Sequence, residues 1–213
     1  MEFLSGVTKF FQDGGIFIYP IALVLAIGVA ISLERWRFLN IEKKRNSKAF
    51  DDFLPLLRTD DHEKMTLFTR DSTAPVARMI GCGLDMMKVT KQRADVEQAM
   101  SEGMMETVPR LEQRTGYLAV LANVATLLGL LGTIIGLIAA FAGVAGASAA
   151  EKQQVLAAGI SVAMFTTAFG LIVSIPSLVG FYLLNNRGDH IIEKMDEKSL
   201  ALFNILSGLK REN

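Results

Sequence analysis

The stretch YLAVLANVATLLGLLGTIIGLIAAF, Tyr117–Phe141, decides the fold of this 213-residue chain, because it contains no charged residue. It lies in an uncharged run from Thr115 to Ala150, and similar runs cover Gly14–Leu33 and Gln153–Asn186. A helix needs about 20 mainly apolar residues to cross a bilayer. With a mean hydropathy of +0.35, the three runs predict an all-α integral membrane protein. It has three transmembrane helices, and the last two are long and extend into a helical cytoplasmic domain.

The basic residues indicate how these spans are oriented. Six lysines and arginines follow the first run between residues 35 and 48, whereas Lys9 alone precedes it. Two arginines precede the second run, Arg187 follows the third, and the loop between them carries only Lys152. Short cytoplasmic flanks are enriched in Lys and Arg. We therefore predict an outer N-terminus and a cytoplasmic C-terminus. The net charge of zero gives no indication of nucleic-acid binding.

These patterns divide the chain into seven segments. The charged segments favour helix, because their apolar residues recur at steps of three and four. The predicted segments are 1–13, short and amphipathic outside the membrane; 14–33, the first span; 34–114, a helical cytoplasmic domain; 115–145, the second span; 146–154, an outer loop; 155–186, the third span; and 187–213, a cytoplasmic C-terminal helix.

Side chains that carry out catalysis are sparse in this sequence. The two histidines, His62 and His190, lie in charged surface segments, and Cys82 is the single cysteine. One thiol builds neither a disulfide framework nor a zinc site. No paired-carboxylate, Ser-His-Asp or Cys-His arrangement can be assembled, which argues against an enzyme. No cofactor is predicted.

Small residues form a stripe along each of the two long spans, at steps of three or four. The stripes are Ala125, Gly129, Gly132, Gly136, Ala140 and Gly143 in the second span, and Gly159, Ala163, Thr167, Gly170, Ser174 and Ser177 in the third. Such stripes let membrane helices approach closely. Helix packing alone is therefore one explanation of the glycines.

Hydroxyl groups on or beside these stripes suggest an ion route as a second explanation. Thr133 in the second span and Ser161, Thr166 and Thr167 in the third could line a narrow polar seam. Neither span has an Asp, Glu, Lys, Arg or His within the bilayer, and a threonine hydroxyl does not titrate. If the chain conducts ions, a second chain must supply the acid. The sequence thus predicts one subunit of a heteromeric channel.

The two long spans resemble a known family of membrane proteins. The sequence in Tyr117–Phe141 and the later stretch GISVAMFTTAFGLIVSIPSLVGFYLLN, Gly159–Asn185, resemble the MotA/TolQ/ExbB proton channel family. Three spans with an outer N-terminus are similar to the ExbB/TolQ branch, whereas the MotA branch has four spans. The resemblance covers the whole plan of the chain and is densest between residues 116 and 186.

The resemblance implies an ion-channel or stator subunit of an energy-transducing motor in the bacterial inner membrane. Such subunits form a homopentamer around the single spans of ExbD/TolR-like chains, each with an essential aspartate. Proton flow through that aspartate powers outer-membrane transport or envelope work, through a TonB/TolA-like protein in some members. The pore-facing threonines of the family fall on Thr133 and Thr167. The pore-face packing residues would be Gly129, Gly132, Gly136, Ala163 and Gly170.

Two positions depart from the family pattern. Thr126 replaces a proline that often precedes LLGLLGT, and Val162 replaces the glutamate of the family's third-span GIAEAL segment. Because that carboxylate is missing, sodium is an alternative to the proton as the driving ion, with threonine oxygens as ligands. A further alternative is a membrane scaffold whose small stripes only pack helices. An independent small transporter is a weaker hypothesis, since no broken-helix substrate site is visible.

Overall fold

The computed structural model describes residues 15–59, 61–90 and 92–209, and these contain seven α-helices and no strand. The helices are α1, Ile18–Arg58; α2, His62–Asp71; α3, Pro75–Val89; α4, Arg93–Met105; α5, Val108–Glu112; α6, Gly116–Gly146; and α7, Lys152–Leu209. Three helical stretches are long and apolar enough to span a membrane. The predicted all-helical, three-span fold class is confirmed to this extent. The amphipathic segment predicted at 1–13 lies outside the described residues.

The continuous helices differ from those that the sequence predicts. The 41-residue α1 and the 58-residue α7 both run on from an uncharged run into charged sequence. By contrast, α6 begins at Gly116, directly after the uncharged run starts. The break has a local cause, because Gln113 leaves the helical conformation, with a ψ of 139°, and Arg114 adopts a φ of +66°, in the left-handed region. Of the two long spans, therefore, only the third continues as an unbroken helix.

The chain folds into two compact units. The first unit combines the described residues up to Leu33 with Arg114–Leu183, and the second combines Glu34–Gln113 with the described residues from Leu184 onward. Each unit is therefore assembled from two separate parts of the sequence, and both α1 and α7 contribute to each.

The first unit packs the start of α1 against the α6–α7 hairpin. Ile18 and Ile21 are fully buried there, in contact with a cluster that includes Ala125, Phe169 and Val173. Other large apolar side chains remain exposed in the single chain, among them Leu127, Ile138, Phe141, Tyr182 and Leu183. Within a bilayer, close packing rather than the hydrophobic effect joins helices, so this outer surface suits lipid or further copies of the chain.

The second unit has a hydrophobic core that is built from parts of α1, α2, α3 and α4 and the end of α7. Its buried side chains include Phe53, Met65, Met79, Met100 and Leu202. Polar contacts fix the register of these helices. At the start of α3, where Ala74 offers no capping side chain, the buried Asn46 accepts a 3.0 Å hydrogen bond from the backbone N–H of Val76.

Candidate functional site

The stripes of small residues form the contact between α6 and α7. The backbones of Gly129 and Gly170 meet there, and a Cβ atom on Gly170 would lie 2.7 Å from the carbonyl oxygen of Ala125. About two turns away, Gly136 faces Ala163, whose Cβ would lie 3.0 Å from a Cβ on the glycine. This is the small-xxx-small packing by which membrane helices approach closely.

This contact changes the interpretation of the glycines. Gly129, Gly132, Ala163 and Gly170 are buried between two helices of one chain, and Gly136 is partly buried in the same contact. A helix of a partner chain could touch the four buried residues only if α6 and α7 separated. In the single chain, helix packing accounts for these residues, and their assignment to a pore face stays a prediction.

Thr133 and Thr167 are each linked to the backbone carbonyl of Gly129, Thr167 by its hydroxyl and Thr133 by the backbone N–H of the α-helix. The Thr167 hydroxyl donates a 2.9 Å hydrogen bond from α7 to the carbonyl oxygen of Gly129 in α6. In an α-helix that same oxygen accepts the N–H of the residue four positions later, which is Thr133. The Thr133 hydroxyl donates to the carbonyl oxygen of Leu130 at 2.6 Å. Both side chains are partly exposed, and each hydroxyl oxygen keeps lone pairs that can accept a further bond.

Thr166 and Ser161 are placed differently. Thr166 is 1% exposed, its hydroxyl donates to the Val162 carbonyl oxygen at 2.8 Å, and its methyl group packs against Gly132. Successive residues of a helix point about 100° apart, so Thr166 fills the helix contact while Thr167 lies at its edge. Ser161 is exposed. Of the four predicted hydroxyls, those of Thr133 and Thr167 thus bond to neighbouring carbonyls of α6, at Leu130 and Gly129, and the other two bond elsewhere or are exposed.

Val162 occupies a contact that sequence reasoning missed. It is partly buried, and its Cγ1 atom would lie 3.0 Å from a Cβ on Gly15, just before α1. Gly15 has a φ of +70°, which a residue with a side chain rarely adopts. The paired glycines at 14 and 15 indicate a turn, but no sequence pattern links that turn to Val162. A valine thus packs on a chain turn at the position where the family glutamate was expected.

No Asp, Glu, Lys, Arg or His of the first unit lies between Tyr117 and Ser148 or within the uncharged part of α7. The loop between α6 and α7 carries a carboxylate, Glu151. It accepts hydrogen bonds from the Ser148 hydroxyl at 2.6 Å and the Ser148 N–H at 3.4 Å. These bonds lower the pKa of Glu151, because they favour its charged form. The described residues also contain no cluster of three His, Cys, Asp or Glu that could hold a metal. The threonine pair can exchange hydrogen bonds but cannot carry a proton by itself.

Comparison with known families matches the sequence to the MotA/TolQ/ExbB proton channel family over residues 71–197. The chain belongs to this family. The matched range contains every residue singled out along the two long spans, and it covers more than half of the chain. Members are channel and motor-stator proteins rather than classical enzymes, and the three apolar helices agree with a membrane protein. No curated individual protein matches the chain.

Proposed function

We propose that this family member is the ion-channel subunit of an ExbB/TolQ-like motor in the bacterial inner membrane. In this proposal, the proton motive force drives the complex, which powers outer-membrane transport or work on the cell envelope. The N-terminus and the loop at 146–154 lie in the periplasm, and the segments 34–114 and 187–213 lie in the cytoplasm, as the distribution of basic residues predicts.

The observation that carries this proposal is the pair of threonines around the Gly129 carbonyl. Both residues are partly exposed, and their hydroxyl oxygens can accept hydrogen bonds, yet no acid of the same unit lies in either helix between Tyr117 and Ser148 or between Gln153 and Leu183. A proton path needs a group that titrates. The proposal therefore places a membrane aspartate of an ExbD/TolR-like single-span chain beside Thr133 and Thr167.

The exposed apolar surface of α6 and α7 supports assembly with further copies. Leu127, Ile138 and Phe141 are each more than 60% exposed in the single chain, although they lie in the most apolar part of the sequence. In the proposed homopentamer, such side chains divide between contacts with neighbouring copies and contacts with lipid. A TonB/TolA-like protein would carry the motion to the outer membrane.

The test compares Thr133→Val and Thr167→Val with a matched control. The complex is purified from its native cells by a tag on this chain, reconstituted in liposomes, and assayed for proton entry with a trapped pH dye. We expect each variant to conduct about tenfold less, the effect of about 1.4 kcal/mol on a barrier. Thr126→Val is the control, because its hydroxyl donates to Ala122 within α6 at 3.1 Å and has no place in the proposed route.

Three outcomes decide between the hypotheses. If both threonine variants conduct like the unaltered complex while assembly is intact, the ion route through Thr133 and Thr167 is wrong. If no acid-bearing single-span chain copurifies and no ion enters, the chain is a scaffold. Flux that follows a sodium gradient at constant pH identifies the sodium-driven variant, since oxygen ligands suit a hard cation.

A further inference from the structure

A cavity of about 580 Å³ lies within the second unit. It is bounded by α1, by the turn between α2 and α3, and by the junction of α4 and α5. Four arginines and two glutamates line it, together with several hydroxyl side chains. The charged residues are Arg45, Arg70, Arg78, Arg110, Glu42 and Glu106. The volume is in the range of small-molecule sites.

The cavity has an excess of positive charge. Arg45 pairs with Glu42 at 2.6 Å, and Arg78 pairs with Glu106 through two hydrogen bonds of 2.6 and 2.8 Å. Four guanidinium groups and two carboxylates leave a formal charge of +2. Within the described ranges, no carboxylate forms an ion pair with Arg70 or Arg110.

The backbone that carries Arg110 is fixed by hydrogen bonds from Arg35. The buried Arg35, 2% exposed, donates hydrogen bonds to the backbone carbonyls of Leu111 and Arg110. These bonds cap the end of α5 and join it to α1. A binding group works best when neighbouring contacts fix its position, and α5 carries Arg110 on such a fixed backbone.

The Glu42 carboxylate indicates that the ligand also carries a hydrogen-bond donor. Its side chain is only 9% exposed, and one oxygen, Oε1, accepts from Arg45. The other, Oε2, has no hydrogen-bond partner among the described residues, although it is buried. A buried carboxylate oxygen without a donor is unfavourable. Glu42 lines the cavity, so a small rotation of its carboxylate that turns Oε2 toward the cavity would let a ligand hydroxyl donate to this oxygen, while Arg45 offsets the charge of Glu42.

We propose that this cavity binds the phosphate ester of a small polyhydroxy compound. Arg70 and Arg110 bind the phosphate, since guanidinium groups match the geometry of phosphate oxygens. Glu42 Oε2 accepts a hydrogen bond from a hydroxyl of the same ligand. A dissolved sugar or glycerol phosphate and the glycerophosphate headgroup of a lipid share this chemistry.

The test measures binding to the full chain in detergent micelles by isothermal titration calorimetry. The probes are sn-glycerol 3-phosphate and inorganic phosphate. Arg70→Gln and Arg110→Gln should each weaken both probes about tenfold, because each loses a charge-assisted bond. Arg37→Gln, an equal loss of charge at an exposed site away from the cavity, should change neither affinity.

Glu42→Gln tests the hydroxyl contact separately. It should leave phosphate binding at least as strong, because Arg45 loses its ion pair, while the preference for glycerol 3-phosphate over phosphate falls about tenfold. An unchanged preference overturns the role of Glu42.

Nanodiscs distinguish the two sources of the ligand. If glycerol 3-phosphate binds in phosphatidylcholine discs but not in phosphatidylglycerol discs, the lipid headgroup fills the cavity; if it binds in both, the ligand is soluble. The proposal is overturned if the unaltered chain binds neither probe in micelles or discs, or if both arginine variants bind like the unaltered chain. Ion conduction plays no part in this measurement, so its result is independent of the proposed function.

Discussion

Gly170→Ala should loosen the contact between α6 and α7. The added Cβ would lie 2.7 Å from the Ala125 carbonyl oxygen and 3.1 Å from the Gly129 Cα atom, both of them backbone atoms. Restoring an ordinary separation of about 3.4 Å requires the two helices to move apart by roughly 0.7 Å. The hydrogen bond from Thr167 to Gly129, now 2.9 Å, would then stretch to about 3.6 Å, beyond hydrogen-bond range.

These changes give a worked estimate of the loss in stability. Overpacking a close contact costs about 1–3 kcal/mol, and an interhelical hydrogen bond in a membrane protein contributes about 0.6 kcal/mol. The alanine regains about 1 kcal/mol of helix propensity. We therefore expect the free energy of unfolding to fall by about 0.6–2.6 kcal/mol.

The assay is unfolding in mixed micelles with increasing SDS, followed by far-ultraviolet circular dichroism. Gly116→Ala is the matched control, because a Cβ there meets no atom within 4 Å, and it should be neutral or stabilising by up to about 1 kcal/mol. If Gly170→Ala is as stable as the unaltered chain, or gains stability like the control, the packing argument is refuted.

Three further predictions concern regions outside the spans. Asn46→Ala should lower the free energy of unfolding in urea by about 2 kcal/mol, because it leaves the Val76 N–H buried without its acceptor. The pKa of Glu151, measured by carbon-13 NMR, should lie below its ordinary value and rise in Ser148→Ala, which removes the hydroxyl donor. The Glu151 contribution to stability should therefore be present above the unfolded-state pKa and be lost as pH falls through the folded one. Cys82 should react with iodoacetamide more slowly than free cysteine at pH 8, because burial raises the pKa of its thiol.

Each of these predictions has a contradicting result. Asn40→Ala, which loses a 3.4 Å surface contact with Arg187, should cost much less than Asn46→Ala, and equal losses would contradict the capping argument. An unchanged Glu151 titration in Ser148→Ala would mean that another donor lowers its pKa. Alkylation of Cys82 at the rate of free cysteine would show that the thiol is accessible and unperturbed.

Much of the fold follows from where charge is missing. A run such as Thr115–Ala150 excludes charge so completely that only a membrane helix or a buried helix fits it, and residue steps of three and four then place Gly129, Gly132 and Gly136 on one face. The helix ends could not be predicted as well. The local sequence does not indicate that α1 continues to Arg58 through Pro55, or that Arg114 adopts a left-handed backbone conformation before α6. Tertiary contacts decide both features.

The site was predictable in its residue types but not in its contacts. The sequence indicates that Thr133 and Thr167 lie on or beside the small stripes, and the structure bonds Thr167 to the carbonyl of Gly129, four residues before Thr133 in α6. The same spacing cannot tell which face of a stripe meets the sister helix and which meets another chain. For that reason Gly132 and Thr166, adjacent to the threonine pair in sequence, prove to be packed against each other. The contact of Val162 with Gly15 links positions far apart in the chain, which single-sequence patterns do not reveal.

The discontinuous build of the second unit has a consequence for biosynthesis. Its core is completed by Leu202 and Phe203, near the end of α7, and these residues leave the ribosome after all three spans. Domains generally fold during synthesis in the order in which they emerge, but this unit has to wait for its last helix. A chain cut short after the third span would still insert in the bilayer while exposing Phe53, Met79 and Met100 to water. Such a product is a ready substrate for proteases, so that only completed subunits persist in the membrane.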